Sequence, residues 1–281
     1  MSAPPNKQEQ EETLTFPSSH AALIDPYLPT LSPEKENEDR WEKMNGKVYL
    51  TLTYAHSLDA ALSLSPGVRT ALSGRLSKAM THYLRARHDA ILVGVGTAVA
   101  DDPGLNSRVR LADCSTRQPR PVVLDPRGRW AFGAESKVVR LAAEGKGLGP
   151  WVLVREGAVI DEGRRKILER VGGGFMFVPV GTEGRFQWGD VLRVLGREGV
   201  RSVMVEGGGE VINSLLAADK NGLVDSVIVT IAPTWLGQGG VVVSPPRVEG
   251  PNGGPPQQVR LADVRWCPMG DDVVLCGRIA K

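Results

Sequence analysis

Apolar positions along the chain fall into short continuous runs separated by stretches of helical spacing. Residues 47–54, from Lys47 to Tyr54, are almost all apolar or threonine, the pattern of a central strand. Similar runs at 89–94, 118–125, 150–155, 174–180 and 223–232 predict further strands, and Val203, Met204 and Val205 predict an inner one. Between them, Leu76, Met80, Tyr83 and Leu84 recur on one face of a helix predicted over 73–87, with Ser73 as its cap. Helices are also predicted over 161–171, over 188–199 and from Gly209 onward, where Val211, Ile212, Leu215 and Leu216 share a face. Two last strands, 259–265 and 272–279, read as an antiparallel pair. Alternating strands and helices closed by two strands predict an α/β sandwich, its sheet mostly parallel with an antiparallel edge. One domain is expected over 44–281. Residues 1–43 are polar, acidic and proline-rich, and a disordered or loosely packed tail is expected there, with a short anchored segment near 22–31. The Pro- and Gly-rich stretch 244–258 is expected to be a flexible insertion.

Composition narrows the function classes. The 281 residues are 41% hydrophobic and 23% charged, with a net charge of +2, so nothing favours nucleic acid or an anionic membrane as partner. No window approaches the roughly 18 apolar residues of a membrane span. The first residues lack the apolar segment of a secretory signal. The three cysteines, Cys114, Cys267 and Cys276, are widely spaced and read as reduced thiols of a cytoplasmic protein. The four histidines fall in no metal motif, so no metal is expected, and His56, His82 and His88 read as structural or surface groups.

The candidate chemistry sits at predicted strand ends, where open α/β sheets bind ligands. Four such ends carry polar or glycine-rich loops: Ser57 with Asp59, residues 94–108, Val180 with Gly181, and Glu206 with Gly207, Gly208 and Gly209. The last feeds a helix, so its free N–H groups and positive dipole end could cradle an anion; it could equally be a tight turn. Asp101-Asp102-Pro103 fits a turn cap or a ligand contact. Arg85 fits a surface charge or an anion contact, and Arg108, in a loop, fits a phosphate fork. Glu206 follows a buried strand, where an unpaired carboxylate is costly.

The pattern Thr97-x-x-x-Asp101-Asp102-Pro103-x-Leu105-x-x-Arg108, with Val205-Glu206-Gly207-Gly208-Gly209 far downstream, resembles the riboflavin-biosynthesis reductase family. Ser57-Leu58-Asp59 upstream and Pro233…Leu236-Gly237 downstream match in order. The resemblance implies a dihydrofolate-reductase-like three-layer sandwich, NADPH as cofactor and a homodimer. It implies reduction of 2,5-diamino-6-(ribosylamino)pyrimidin-4(3H)-one 5′-phosphate to the ribitylamino compound. The cofactor contacts it implies are Thr97, Asp101, Gly207, Gly208, Gly209, Glu210, Val211 and Ile212, with a hydrophobic contact near Val180. The implied substrate contacts are Ser57, Arg85, Leu105, Arg108 and Glu206, with Asp59 and Glu206 as catalytic groups. The family often has Gly and a basic residue after the aspartate; here Ala60 and Ala61 follow Asp59. A dihydrofolate-reductase-like enzyme acting on another pterin or pyrimidine, or a non-catalytic NADPH-binding protein, would share these motifs.

Overall fold

The computed structural model describes residues 13–30, 47–111, 117–181, 184–218, 222–247 and 258–280. Cys114, residues 1–12 and 31–43 of the expected tail, and 248–257 of the expected insertion lie outside the described residues.

The strands are β1 (Tyr49–His56), β2 (Ala61–Ser63), β3 (Ala90–Gly94), β4 (Arg120–Leu124), β5 (Trp151–Arg155), β6 (Gly174–Val178), β7 (Ser202–Gly207), β8 (Ser226–Ile231), β9 (Val241–Val242), β10 (Leu261–Met269) and β11 (Asp272–Ile279). The helices are α1 (Ser18–Ile24), α2 (Arg75–Ala86), α3 (Val95–Asp101), α4 (Lys137–Ala143), α5 (Glu162–Arg170), α6 (Trp188–Arg197) and α7 (Gly209–Ala218). The main sheet runs β10-β11-β8-β1-β7-β3-β4-β5-β6. The pairings from β8 through β6 are parallel. Strand β11 pairs antiparallel with both β8 and β10, which gives the expected antiparallel edge. The small pair β2–β9 stands apart from this sheet.

Side chains alternate across each strand, so each strand feeds two cores. Leu50 and Leu52 of β1, Leu92 of β3, and Val203 and Val205 of β7 pack under α6 and α7. Ile91 and Val93 point the other way, into a cluster with Val138, Val139 and Leu168 from α4 and α5. Met80 and Leu84 of α2 join Met204, Ile228 and the two buried thiols Cys267 and Cys276. These layers, helices on both faces of one sheet, are the three-layer sandwich the resemblance implies.

Three local expectations change. Ser73 does not cap α2: the residue before the helix is Gly74, with no side-chain cap of its own. The cap comes from Asp272, distant in sequence, whose carboxylate accepts from Gly74 N–H (2.8 Å) and the Ser77 hydroxyl (2.5 Å). The loop expected from Thr97 begins instead as α3, directly after β3. Residues 13–30 are not loose. Ile24, Tyr27 and Leu28 are buried against α2, an anchor that continues upstream to a buried Leu14. Helix α5 matches expectation, with Asp161 accepting from Arg164 N–H as N-cap (2.8 Å). No helix among the described residues is long and apolar enough to cross a membrane.

At the centre of the sheet the neighbouring strands β3 and β7 send their helices to opposite faces. Helix α3 packs with the cluster that holds Val95 and Ala98, and α7 with the one that holds Ile212 and Leu215. The two turns nearly touch. A Cβ on Gly94 would lie 2.9 Å from Val211 Cγ2, and one on Gly208 would lie 3.0 Å from Thr97 Oγ1. A side chain at either position would have to displace its neighbour, Val211 or Thr97.

Because Asp272 is 3% exposed and serves two donors at the start of α2, Asp272→Ala is expected to lower stability by about 1–3 kcal/mol. A shift of the urea midpoint at constant slope measures it.

Candidate active site

The carboxyl ends of β1, β3 and β7 lie side by side, and most of the expected residues collect there. Glu206, near the end of β7, turns toward α2. Its two oxygens accept from Arg85 Nε and Nη2, both at 2.7 Å, in a fork that leaves the two side chains 14% and 17% exposed. Arg85 also donates through Nη1 to Asn106 O (3.0 Å). The guanidinium is thus committed to the protein in three directions. A bound carboxylate still has free lone pairs, so Glu206 keeps an acceptor for a substrate hydroxyl or amine.

Arg108 is the contrasting cation. Its backbone N–H donates to His82 Nδ1 (3.1 Å), so the neutral ring carries its proton on Nε2. That Nε2 lies 3.1 Å from Arg108 Nη2, and both atoms then bear protons. Among the described residues no carboxylate pairs with Arg108. With Nη2 against the ring, Nε and Nη1 are the donors that an anion could meet. Burial, then the charges of Arg85 and Arg108, push His82 down to about 2. His82 is therefore more than a structural filler. It sits three residues before Arg85, on the same helix face, and that spacing was the available sequence signal.

Asp101 and Asp102 divide their roles. Asp102 has left-handed backbone angles, and its carboxylate accepts from Lys137 N–H (3.0 and 3.1 Å), capping α4. Asp101, at the end of α3, is raised from its ordinary value by burial. Thr97 lies on the first turn of α3 against Gly208. Ile212 N–H bonds Gly208 O (3.0 Å), so the N–H groups of Gly209, Glu210 and Val211 have no helical partner. Ile212 itself is 1% exposed and faces the core, so it offers neither side chain nor N–H to a ligand. Leu105 is likewise buried, in the cluster beneath α3. Val180 is not brought to the glycine turn: it pairs with Phe186 beyond β6, and β6 is the fourth strand from β7.

Ser57 and Asp59, expected at the site, sit in a hydrogen-bonded turn of their own. Ser57 is fully buried, and its hydroxyl donates to Asp59 and accepts from Ala61 N–H (3.0 Å), so it organises its own turn. Asp59 also accepts from Leu236 N–H (3.1 Å) and Gly237 N–H (2.7 Å). The Ser57 hydrogen bond, then that from Leu236, hold the carboxyl down at about 2. The same bonds pin the strap 233–244 at Leu236 and Gly237. Asn213 of α7 ties the far end of the strap, donating to Val242 O (3.2 Å) and accepting from Ser244 N–H (2.9 Å). Val241 thereby lies over Gly209, where a Cβ would come within 2.5 Å of its Cγ1. Among the described residues no group of three or more His, Cys, Asp or Glu could hold a metal ion.

A mostly parallel sheet with an antiparallel edge, and a polar site at the point where β3 and β7 diverge, define a dihydrofolate-reductase-like α/β protein. The chain belongs to the family of the RibD C-terminal domain, whose model matches residues 48–275. It is 40% identical over 266 residues to the 2,5-diamino-6-ribosylamino-4(3H)-pyrimidinone 5′-phosphate reductase of Eremothecium gossypii, covering 92% of this chain and 96% of that one. To the protein of the same name from Saccharomyces cerevisiae it is 42% identical, covering 83% and 87%. Among solved structures it is similar to that described as the Saccharomyces riboflavin biosynthesis reductase Rib7. The TM-score is 0.69 at 35% identity, over 92% of this chain and 98% of that one.

The depressed value of His82 has a measurable sign. The ring stays neutral in the folded state but takes up a proton near 6.5 when unfolded, so stability falls as pH drops below 6.5 toward 2. His88, fully buried and held down at about 4 mainly by burial, adds the same trend over 6.5 to 4. Each is expected to contribute a slope of up to about 1.4 kcal/mol per pH unit. Urea unfolding between pH 7.5 and 5 should show it, and His82→Asn should flatten it.

Proposed function

We propose that this chain catalyses the NADPH-dependent reduction of 2,5-diamino-6-(ribosylamino)pyrimidin-4(3H)-one 5′-phosphate to its ribitylamino product, a step of riboflavin biosynthesis. The observation that carries the reading is the adjacency of two unlike surfaces at the β3/β7 divergence. One is the glycine turn with the unpartnered N–H groups that begin α7. The other is the polar wall of Glu206, Arg85 and Arg108.

The turn fits a dinucleotide diphosphate, since an anion there meets free N–H donors and the positive end of a helix. Thr97 and Asp101 border it from α3, and a hydrophobic contact from Val180 would belong to the far end of an extended ligand. When bound, the reduced nicotinamide supplies the hydride. The substrate carbon that joins the pyrimidine nitrogen to the ribose opens to an imine. Reduction at that carbon to give the ribityl chain would also require a proton at the nitrogen, and the protein's part would be to hold the two reactants in place. Glu206, held rigid by Arg85, orients substrate hydroxyl or amino groups. Arg108 takes the 5′-phosphate through its free fork. Asp59 acts through the strap, not on the reacting atoms.

The same reading makes the protein a cytoplasmic homodimer. The edge strand β10, where Val264 and Trp266 are 44% and 59% exposed, is a surface that pairing would cover.

The test is loss of absorbance at 340 nm when the protein, NADPH and the pyrimidine substrate are mixed; no oxidation with substrate present would sink the reading. Arg108→Ala is expected to raise the substrate KM by about 10–100-fold, the worth of its charge-assisted hydrogen bonds, with the NADPH KM little changed. Gly208→Val should do the reverse, raising the NADPH KM most.

A further inference from the structure

We propose that the N-terminal arm is part of the substrate site: Leu14 fixes the backbone of Arg108, and with it the aim of the phosphate fork. The inference rests on the reading of Arg108 given above.

The segment bearing Arg108 has no secondary structure of its own, so its backbone groups must find partners elsewhere. Asn106 O accepts from Arg85 (3.0 Å). Ser107 N–H donates to Gln118 Oε1 (2.8 Å), and Ser107 O accepts from Gln118 Nε2 (2.9 Å). Arg108 N–H is taken by His82 Nδ1 (3.1 Å). The remaining group, Arg108 O, accepts from Leu14 N–H at 3.0 Å, and Leu14 bridges Val109 in parallel. Leu14 is 6% exposed and Val109 1%. The arm therefore supplies both the hydrogen bond and the apolar cover on this side of the segment.

The arm is itself anchored independently of that contact. Asp25 accepts from the Tyr83 hydroxyl (2.6 Å) and Arg87 Nη1 (2.5 Å), both on or next to α2. Tyr27 donates to Asp263 O (2.6 Å), and Arg278 Nη2 donates to Pro26 O (2.8 Å). Ile24 is fully buried. Tyr83 and Arg87 lie on one side of α2, while His82 and Arg85 lie on another. The helix is thus gripped by the arm on one side and presents the site's basic residues on the other. Leu14 is a positioning residue in this scheme.

Two variants separate positioning from folding. Leu14→Pro removes the N–H and leaves the anchor; a chain starting at Pro17 removes the whole contact but keeps Ile24, Tyr27 and Leu28. Both are expected to raise the substrate KM by about fivefold, the effect of one lost hydrogen bond, with the NADPH KM within about twofold and the melting temperature of Leu14→Pro near that of the parent. An unchanged substrate KM in either folded variant, while Arg108→Ala raises it, overturns the proposal. Equal rises in both KM values overturn it as well. If Arg108→Ala itself leaves the substrate KM unchanged, the reading of Arg108 fails first and this proposal falls with it.

Discussion

The close approach of two strand-to-helix turns sets the rest of this structure. Strands β3 and β7 are neighbours in the sheet, yet α3 and α7 leave them for opposite faces. Gly94 and Gly208 present no side chain where Val211 and Thr97 approach, which lets their first turns come close. At this divergence the first N–H groups of α7 have no partner within their own helix.

Beside the cradle, α2 arranges charge. A lone glutamate at the end of a buried strand would be costly, and Arg85 neutralises it with a two-pronged fork. The consequence is a division of labour between two arginines that look alike in sequence. Arg85 is consumed in holding Glu206 and Asn106. Arg108 sets Nη2 against a buried imidazole and has no carboxylate partner among the described residues. Neutrality of His82 is part of that arrangement, since a charged ring would stand against Arg85 and Arg108 together.

Two chain segments far apart in sequence complete the site from outside. The strap 233–244 is fastened by Asp59 at one end and Asn213 at the other, and it lies over the start of α7. The arm 13–28 backs the loop that carries Arg108. Both fastenings of the strap use a carboxylate or amide bonded to backbone N–H groups, which set distances without a rigid secondary element.

Alternating apolar runs and helical faces were enough to read the sandwich, its parallel sheet and the antiparallel closing pair, because side-chain period reports burial directly. The glycine turn and the stretch from Thr97 to Arg108 likewise stood out as segments that the fold brings together, Thr97 against Gly208. Short elements escaped: β2, β9 and α4 are too brief to show a period, and their pairing or capping depends on distant residues such as Asp102. The cap of α2 was misplaced because Asp272 lies almost two hundred residues away from Gly74 in sequence. Sequence alone could say that Ser57, Asp59, Arg85, Glu206 and Arg108 belong near one site. Only the tertiary structure decided that Asp59 holds a strap, that Arg85 is spent on Glu206, and that His82 and Leu14 stand behind Arg108. The reason is physical: a residue's type limits the bonds it can make, but which bond it makes depends on the partner the fold places within about 3 Å.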